Sequence, residues 1–347
     1  MPLILSRRAL AGLAAGTTTV ALSAPRVLRA QERARVRLVL NFGVDGSTAP
    51  FYHAEACGYF REAGLDVQID PSNGSGDAIT RVASGTYQFG VGDLSTLTEF
   101  ASRQPENSPR AVMVLQNRSP QAVISLKSAG INTPRDLEGK AIGNGVSDGA
   151  SRMFPAFLKI NGVDEAKVTR RQVTAQLRDQ MLLTRQVAGV TGFDYTTFFN
   201  IKANGTRLED VNFLSYADHG IDSYGNSILA GQSVIREQPD VVRRFLLAAT
   251  RSWRESLADP KTTASTIAAQ SQLVDLALET ERLTWLAQRQ ILTPATRARG
   301  IGDVEPARLA ETISTVASGF GLARVPAPEE VYDGRFLPPQ EARMPLA

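Results

Sequence analysis

Few residues in this chain could do covalent or metal chemistry. Among 347 residues there are two histidines, His53 and His219, and one cysteine, Cys57. No CxxC or HExxH spacing occurs, so no metal site built on histidine and cysteine is expected. Neither histidine sits in a motif that would pair it with a nucleophile and an acid. One cysteine makes no internal disulfide, and no cofactor is expected. The sequence instead holds short runs of amides, hydroxyls, acids and aromatics beside glycine. They are Asn41-Phe42 with Thr48, Gly74-Ser75-Gly76-Asp77, Gly92-Asp93, Asn144-Gly145-Val146-Ser147-Asp148, and Thr191-Gly192-Phe193-Asp194-Tyr195. Amides and hydroxyls hold a solute by hydrogen bonds, aromatic faces stack on a ring, and glycines let backbone N–H groups approach closely. Asp93 or Asp148 could pair with an amino group or a protonated ring nitrogen, or could cap helices. This is the chemistry of binding.

The elements that must position these runs alternate. Val36–Leu40, Val67–Ile69, Tyr87–Val91 and Ala111–Leu115 read as strands, separated by helices over 49–63, 77–83 and 94–101. A second set follows. Its strands are Ala122–Leu126, Lys140–Gly143, Val168–Val173, Gln186–Val190 and Val211–Leu214. Between them come a short helix capped by Thr133, a helix over 149–159 that Pro155 should break or delay, and helices over 177–184 and 197–203. Such alternation implies α/β units and parallel sheets, with the loops after the strands on one edge. After a strand at Asn226–Ala230 the chain turns helical, over 239–258, near 278–290 and over 305–318. The tail from Pro326, with Pro328, Pro338, Pro339 and Pro345, reads as an extended wrap or loose end.

The ends shape the charge. Ser6-Arg7-Arg8, a weakly apolar stretch over Ala9–Leu22 and a small residue at Ala30 read as a twin-arginine signal peptide over residues 1–30. The apolar run is shorter than the roughly 20 residues of a membrane span. No cysteine stands at the cut site for a lipid anchor. The leader carries four arginines and no acid, so the 38 basic residues fall to 34 against 35 acidic ones. A near-neutral mature chain without a basic, aromatic-studded run argues against nucleic-acid binding.

Four segments in order carry a family resemblance. They are Leu40-Asn41-Phe42 through Ala49-Pro50-Phe51-Tyr52-His53-Ala54 and Gly58–Val67; Gly74–Ala78 leading to Gly85–Asp93; Asp136–Gly143; and Gln238–Leu246. Together, across roughly residues 36–290, the chain resembles the periplasmic solute-binding proteins of ABC importers in the taurine, sulfonate, nitrate and thiamine-pyrimidine-precursor group. The resemblance implies a type II periplasmic-binding fold: an α/β architecture of two lobes joined by a two-strand hinge, with the solute between them. Lobe 1 would span 36–118 plus 222–347, and lobe 2 would span 119–221. It also implies a periplasmic monomer that hands a small molecule to an inner-membrane ABC permease. Tyr52, in the first segment, and Gln116, Asn117 and Tyr224, near the hinge, then join the binding candidates. Phe193 and Tyr195 would clamp a ring opposite Phe42. The group includes a pyrimidine-precursor synthase with a reactive histidine, and an ungapped placement puts Thr48 at that position. The synthase's cysteine-rich motif is also absent. No arginine stands in the candidate loops except Arg152, which disfavours a sulfonate or phosphate and favours a pyrimidine-like or aromatic amine solute. A synthase-like enzyme and a ligand sensor for a membrane receptor remain the alternatives.

Overall fold

Aliphatic runs bounded by glycine or acid become strands. The computed structural model describes residues 33–346, so the expected leader over 1–30 lies outside the described residues. The strands are β1 (Ala34–Val39), β2 (Leu65–Asp70), β3 (Phe89–Asp93), β4 (Arg110–Val114), β5 (Gln121–Leu126), β6 (Ala141–Gly145), β7 (Thr169–Val173), β8 (Gly189–Phe193), β9 (Val211–Ser215) and β10 (Asn226–Ala230). They form two sheets of five, ordered β2-β1-β3-β10-β4 and β7-β6-β8-β5-β9. β10 runs antiparallel between β3 and β4, and β5 does the same between β8 and β9. The remaining pairings are parallel. Helices cover both sheets, giving the two-lobed α/β architecture.

Each sheet thus has one strand that enters directly from the other lobe. The two crossing segments, over 115–120 and 216–225, hydrogen-bond to each other. Gly225 N–H donates to Gln116 O (2.9 Å), and Ser119 N–H donates to Ser223 O (2.9 Å). Two paired strands of this kind form a hinge that bends at few dihedrals.

Aromatic packing anchors the helices. Phe245, on the helix Pro239–Ala258, stacks on Phe89 (4.1 Å between ring centroids) and on Phe60 (5.2 Å). Such a buried ring contributes about 1.5–3 kcal/mol by burial alone. The helix Leu276–Leu286, within the span expected for the first lobe, also touches the second. Its Trp285 packs against Phe198, Phe199 and Phe213 of the second lobe. It makes a third link between the lobes beside the two crossings.

Other departures have local causes. The helix expected over 49–63 is two, Ala49–Ala56 and Tyr59–Glu62, because Gly58 takes φ +79°, which a continuous helix excludes. Pro155 does not break its helix, which runs Gly149–Ile160. The roughly 3 kcal/mol cost of an internal proline is outweighed by burial of Met153, Phe154, Phe157 and Leu158 around it. The strand expected at Gln186–Val190 lies three residues later, at Gly189–Phe193. Gly192, read as a loop residue, lies inside that strand, paired with Ala122, where a Cβ would collide with Thr197 Oγ1. The proline-rich tail is not loose. Val331 and Phe336 are buried, and the Arg343 guanidinium donates to Pro338 O (2.8 Å) and Ile301 O (2.9 Å).

Candidate functional site

The carboxyl ends of β1, β6 and β8 converge with three helix starts between the lobes. There they enclose a cavity of about 40 Å³ lined by Asn41, Phe42, Asn73, Gly74, Ser75, Asp148, Gly149, Arg178, Phe193 and Thr196. It adjoins a second space of about 110 Å³, which shares Phe42, Asn73 and Asp148 and adds Gly145, Val146, Ser147 and Thr174. The inner volume holds a few waters. That is well below the several hundred Å³ typical of pockets for drug-sized ligands, and the two lobes touch across it. The closing contacts are specific. Gly76 N–H donates to Ser147 O (3.3 Å). Arg152, from the second lobe, binds the buried Glu99 of the first at 2.8 Å. Gly74 has φ +132°, and a Cβ there would lie 2.5 Å from Ser147 O. Only glycine lets the lobes meet at that point.

Charge is arranged tightly. Arg178 is buried, and each edge of its guanidinium is used. Nη1 donates to Asp148 (2.5 Å), Nε to Asp179 (2.9 Å) and Nη2 to Thr197 (3.0 Å). Burial pushes the Asp148 carboxyl above the usual carboxylate range, with the Arg178 charge opposing the shift. Across the seam, Asp93 ends β3 and caps the helix Leu94–Arg103, accepting from Ser95 N–H (3.0 Å) and Thr96 N–H (3.2 Å). Gln121 Nε2 also donates to Asp93 Oδ1 (3.0 Å). These three donors favour the charged form, but complete burial wins and pushes this carboxyl up to about 6. The lining thus holds one carboxyl, Asp148, and one guanidinium, Arg178, and that guanidinium is already occupied.

The expected residues divide. Asn41, Phe42, Gly74, Ser75 and Phe193 line the inner cavity, and Ser147 lines the outer one. Gly76 lies on the seam, and Asp93 lies just behind it, where Ser75 Oγ accepts from Asp93 N–H (3.1 Å). Asn144 and Thr191 bond to each other (3.0 Å) inside the second sheet. Gln116 and Tyr195 belong to the hinge. Gln116 Nε2 donates to the Tyr195 hydroxyl (3.1 Å), so Tyr195 does not clamp a ring opposite Phe42. It stands in the first turn of the helix Asp194–Lys202, past the end of the strand alternation, which turns it inward. Thr48 is buried, with its hydroxyl bonded to Gly43 O and Asp45 O (both 3.1 Å), and it does not reach the cavity. Tyr52 packs against the first core. Asn117 and Tyr224 line a separate small space beside Arg308. Asn73, Gly149, Arg178 and Thr196 were missed. Arg178 and Thr196 stand within helices, and only packing turns them toward the cleft.

The run Gly145-Val146-Ser147-Asp148-Gly149 has GxSxG spacing at a strand-to-helix turn, a signal missed in the sequence. No histidine or cysteine lines either cavity beside Ser147. His53 lies instead on the helix Ala49–Ala56, 3.5 Å from Glu255 and 3.6 Å from Cys57 Sγ. His219 bonds Ser215 O (2.8 Å). Among the described residues, no group of three or more His, Cys, Asp and Glu side chains is arranged to hold a metal, and no helix is long and apolar enough to cross a membrane.

Comparison with known proteins agrees with this architecture. The riboflavin-binding protein RibY of Chloroflexus aurantiacus is 26% identical over 254 residues, which cover 72% of this chain and 71% of that protein. The 4-amino-5-hydroxymethyl-2-methylpyrimidine phosphate synthase of Legionella pneumophila is 25% identical over 224 residues, covering 63% and 68%. Among solved structures, the alkanesulfonate-binding protein SsuA of Xanthomonas axonopodis pv. citri bound to MOPS shares the fold. It has a TM-score of 0.66 at 13% identity, covering 87% of this chain and 99% of that one. The model of the family described as NMT1/THI5 like matches residues 46–263, well over half the sequence, and the chain belongs to that family.

Proposed function

We propose that this protein is the solute-binding component of an ABC importer, a clamp that closes on a small planar organic molecule and does no chemistry on it. One observation carries the reading: Phe42 of one lobe and Phe193 of the other line the same cavity, whose guanidinium is bound by two carboxylates. Apolar faces suit a ring, and a guanidinium already paired with Asp148 and Asp179 disfavours sulfonate, nitrate or phosphate. A pyrimidine-like or aromatic amine solute fits best. The names of two relatives, one binding riboflavin and one making a pyrimidine phosphate, are consistent with a heteroaromatic solute.

In this reading residues 1–30 direct export to the periplasm, lobe 1 spans 36–118 plus 222–347, and lobe 2 spans 119–221. The protein works as a monomer that docks on an inner-membrane permease. Against a synthase-like activity stand Thr48 at the reactive position, with its hydroxyl spent inside its own loop, and a cavity wall without histidine or cysteine. Calorimetry on the purified full chain with an aminopyrimidine, riboflavin, taurine and benzoate tests the proposal. Micromolar or tighter binding of an aminopyrimidine or riboflavin is expected. Tight binding of taurine or benzoate alone would overturn it.

A further inference from the structure

A buried arginine outside the cavity ties its two walls together. Arg282 and Glu279 stand one turn apart on the helix Leu276–Leu286, and both are buried. Arg282 Nε and Nη2 donate to the two Glu279 carboxylate oxygens (2.8 and 3.2 Å). Toward the second lobe, Arg282 Nη1 donates to Tyr195 O (3.3 Å), Thr196 O (3.4 Å) and Asn200 Oδ1 (3.4 Å), all on the helix Asp194–Lys202. Toward the first lobe, Nη1 lies 3.5 Å from Asp45 Oδ2, and Glu279 Oε2 accepts from Gly46 N–H (2.6 Å). The loop is pressed against the helix there, since a Cβ on Gly46 would collide with Glu279 O. Neither Arg282 nor Glu279 lines the cavities, but the groups they hold reach them. Asp45 follows Phe42 by three residues, and its carboxylate and carbonyl accept from Ser47, Thr48 and Ala49, so this loop moves as one piece. Thr196 is cavity wall, and Asn200 Nδ2 donates to Asp179 (2.8 Å), which accepts from Arg178 Nε (2.9 Å). A guanidinium presents its N–H donors in one rigid plane. Here that plane fixes the Phe42 loop of one lobe against the Thr196 and Arg178 wall of the other.

We propose that Arg282, held by Glu279, is a positioning residue for solute capture: it sets Phe42 against the opposite wall, and its loss weakens binding through Phe42. This rests on the clamp reading above and names residues that set its geometry without touching the solute. Without the guanidinium, Asp45 and Glu279 are left as two buried carboxylates facing each other and the carbonyls of residues 195 and 196, and the loop is pushed away. Lysine keeps the charge, but a single ammonium does not span acceptors on both lobes as the planar fork does.

The test is a double-mutant cycle by calorimetry on the full chain, with riboflavin and 4-amino-2-methylpyrimidine as probes. Arg282→Lys, and Arg282→Met combined with Glu279→Gln to remove both buried charges, are each made with Phe42 present and with Phe42→Ala. Thermal melts identify the variants that fold. With Phe42 present, each folded Arg282 variant is expected to bind the tighter probe about tenfold or more weakly. In Phe42→Ala the same change is expected to cost about threefold or less, as for residues that act as one unit. Hydrogen exchange without solute is expected to speed up over residues 41–48 and to stay unchanged over β2. Wild-type affinity in a folded Arg282 variant, or a loss equally large in Phe42→Ala, would overturn the positioning role and leave the clamp standing. Unchanged exchange over 41–48 would overturn the tie whether or not a probe binds. Binding of neither probe, or a Phe42→Ala protein that binds as the wild type does, would overturn both readings.

Discussion

Replacing Arg178 by methionine should unmask how the cleft is charged. The side chain is buried and holds Asp148 at 2.5 Å and Asp179 at 2.9 Å. Methionine fills most of the volume, so the loss is electrostatic. At an effective dielectric of about 20, two opposite charges about 4 Å apart attract by about 4 kcal/mol. Removing one partner of a buried pair costs about 3–5 kcal/mol, because the other is left uncompensated. We expect a loss of that size in urea unfolding of the full chain, followed by circular dichroism at pH 7.5. The sign with pH follows from Asp148, whose carboxyl already lies above its ordinary value of 3.8. Without the guanidinium it rises further. A raised folded-state value means that stability falls as pH rises through it, and the deficit disappears below the unfolded value. The deficit should therefore be smaller at pH 5.0 than at pH 7.5. A loss under about 1 kcal/mol, or one equal at both pH values, would refute the claim that Arg178 is committed to these two acids rather than available to an anion.

Three further outcomes follow from the same geometry. Asp93, pushed from 3.8 to about 6 by burial, withdraws about 3 kcal/mol of stability as pH climbs from near 4 to above 6. Asp93→Asn should thus match the wild type near pH 4 and exceed it at pH 7.5, and equal or lower stability at pH 7.5 would count against this. Gly74→Ala places a methyl against Ser147 O at the seam. X-ray scattering should show a larger radius of gyration than the wild type, and solute affinity should drop about tenfold or more; an unchanged radius would contradict the role given to the seam. Tyr195→Phe strips the Gln116 amide of its acceptor in the hinge and should cost about 1–3 kcal/mol in denaturant unfolding. No measurable cost would mean the amide finds another partner.

Much of the site was legible because strands end where loops begin. Asn41-Phe42 and Gly74-Ser75 follow β1 and β2, Phe193 ends β8, and each reaches the cavity. Residues one or two places off the strand alternation were harder. Thr191 points into its own sheet, and Tyr195 turns toward the hinge. Sequence spacing does not say which face of a helix turns toward the other lobe, so Arg178 and Thr196 were invisible. The arginine then changed the electrostatic argument without reversing it. The cleft does hold a guanidinium, but its acids neutralise it.

The amino-acid sequence by itself determined the order of strands and helices, the α/β class and the near absence of catalytic side chains. These rest on local periodicity and composition, which act within a few residues. Only the tertiary structure decided which loops meet, because the partners of Asp93, at Gln121 and Gly149, and of Arg178, at Asp148 and Thr197, lie 19 to 56 residues away. Burial is a property of the packed lobes, and burial sets the carboxyl of Asp93.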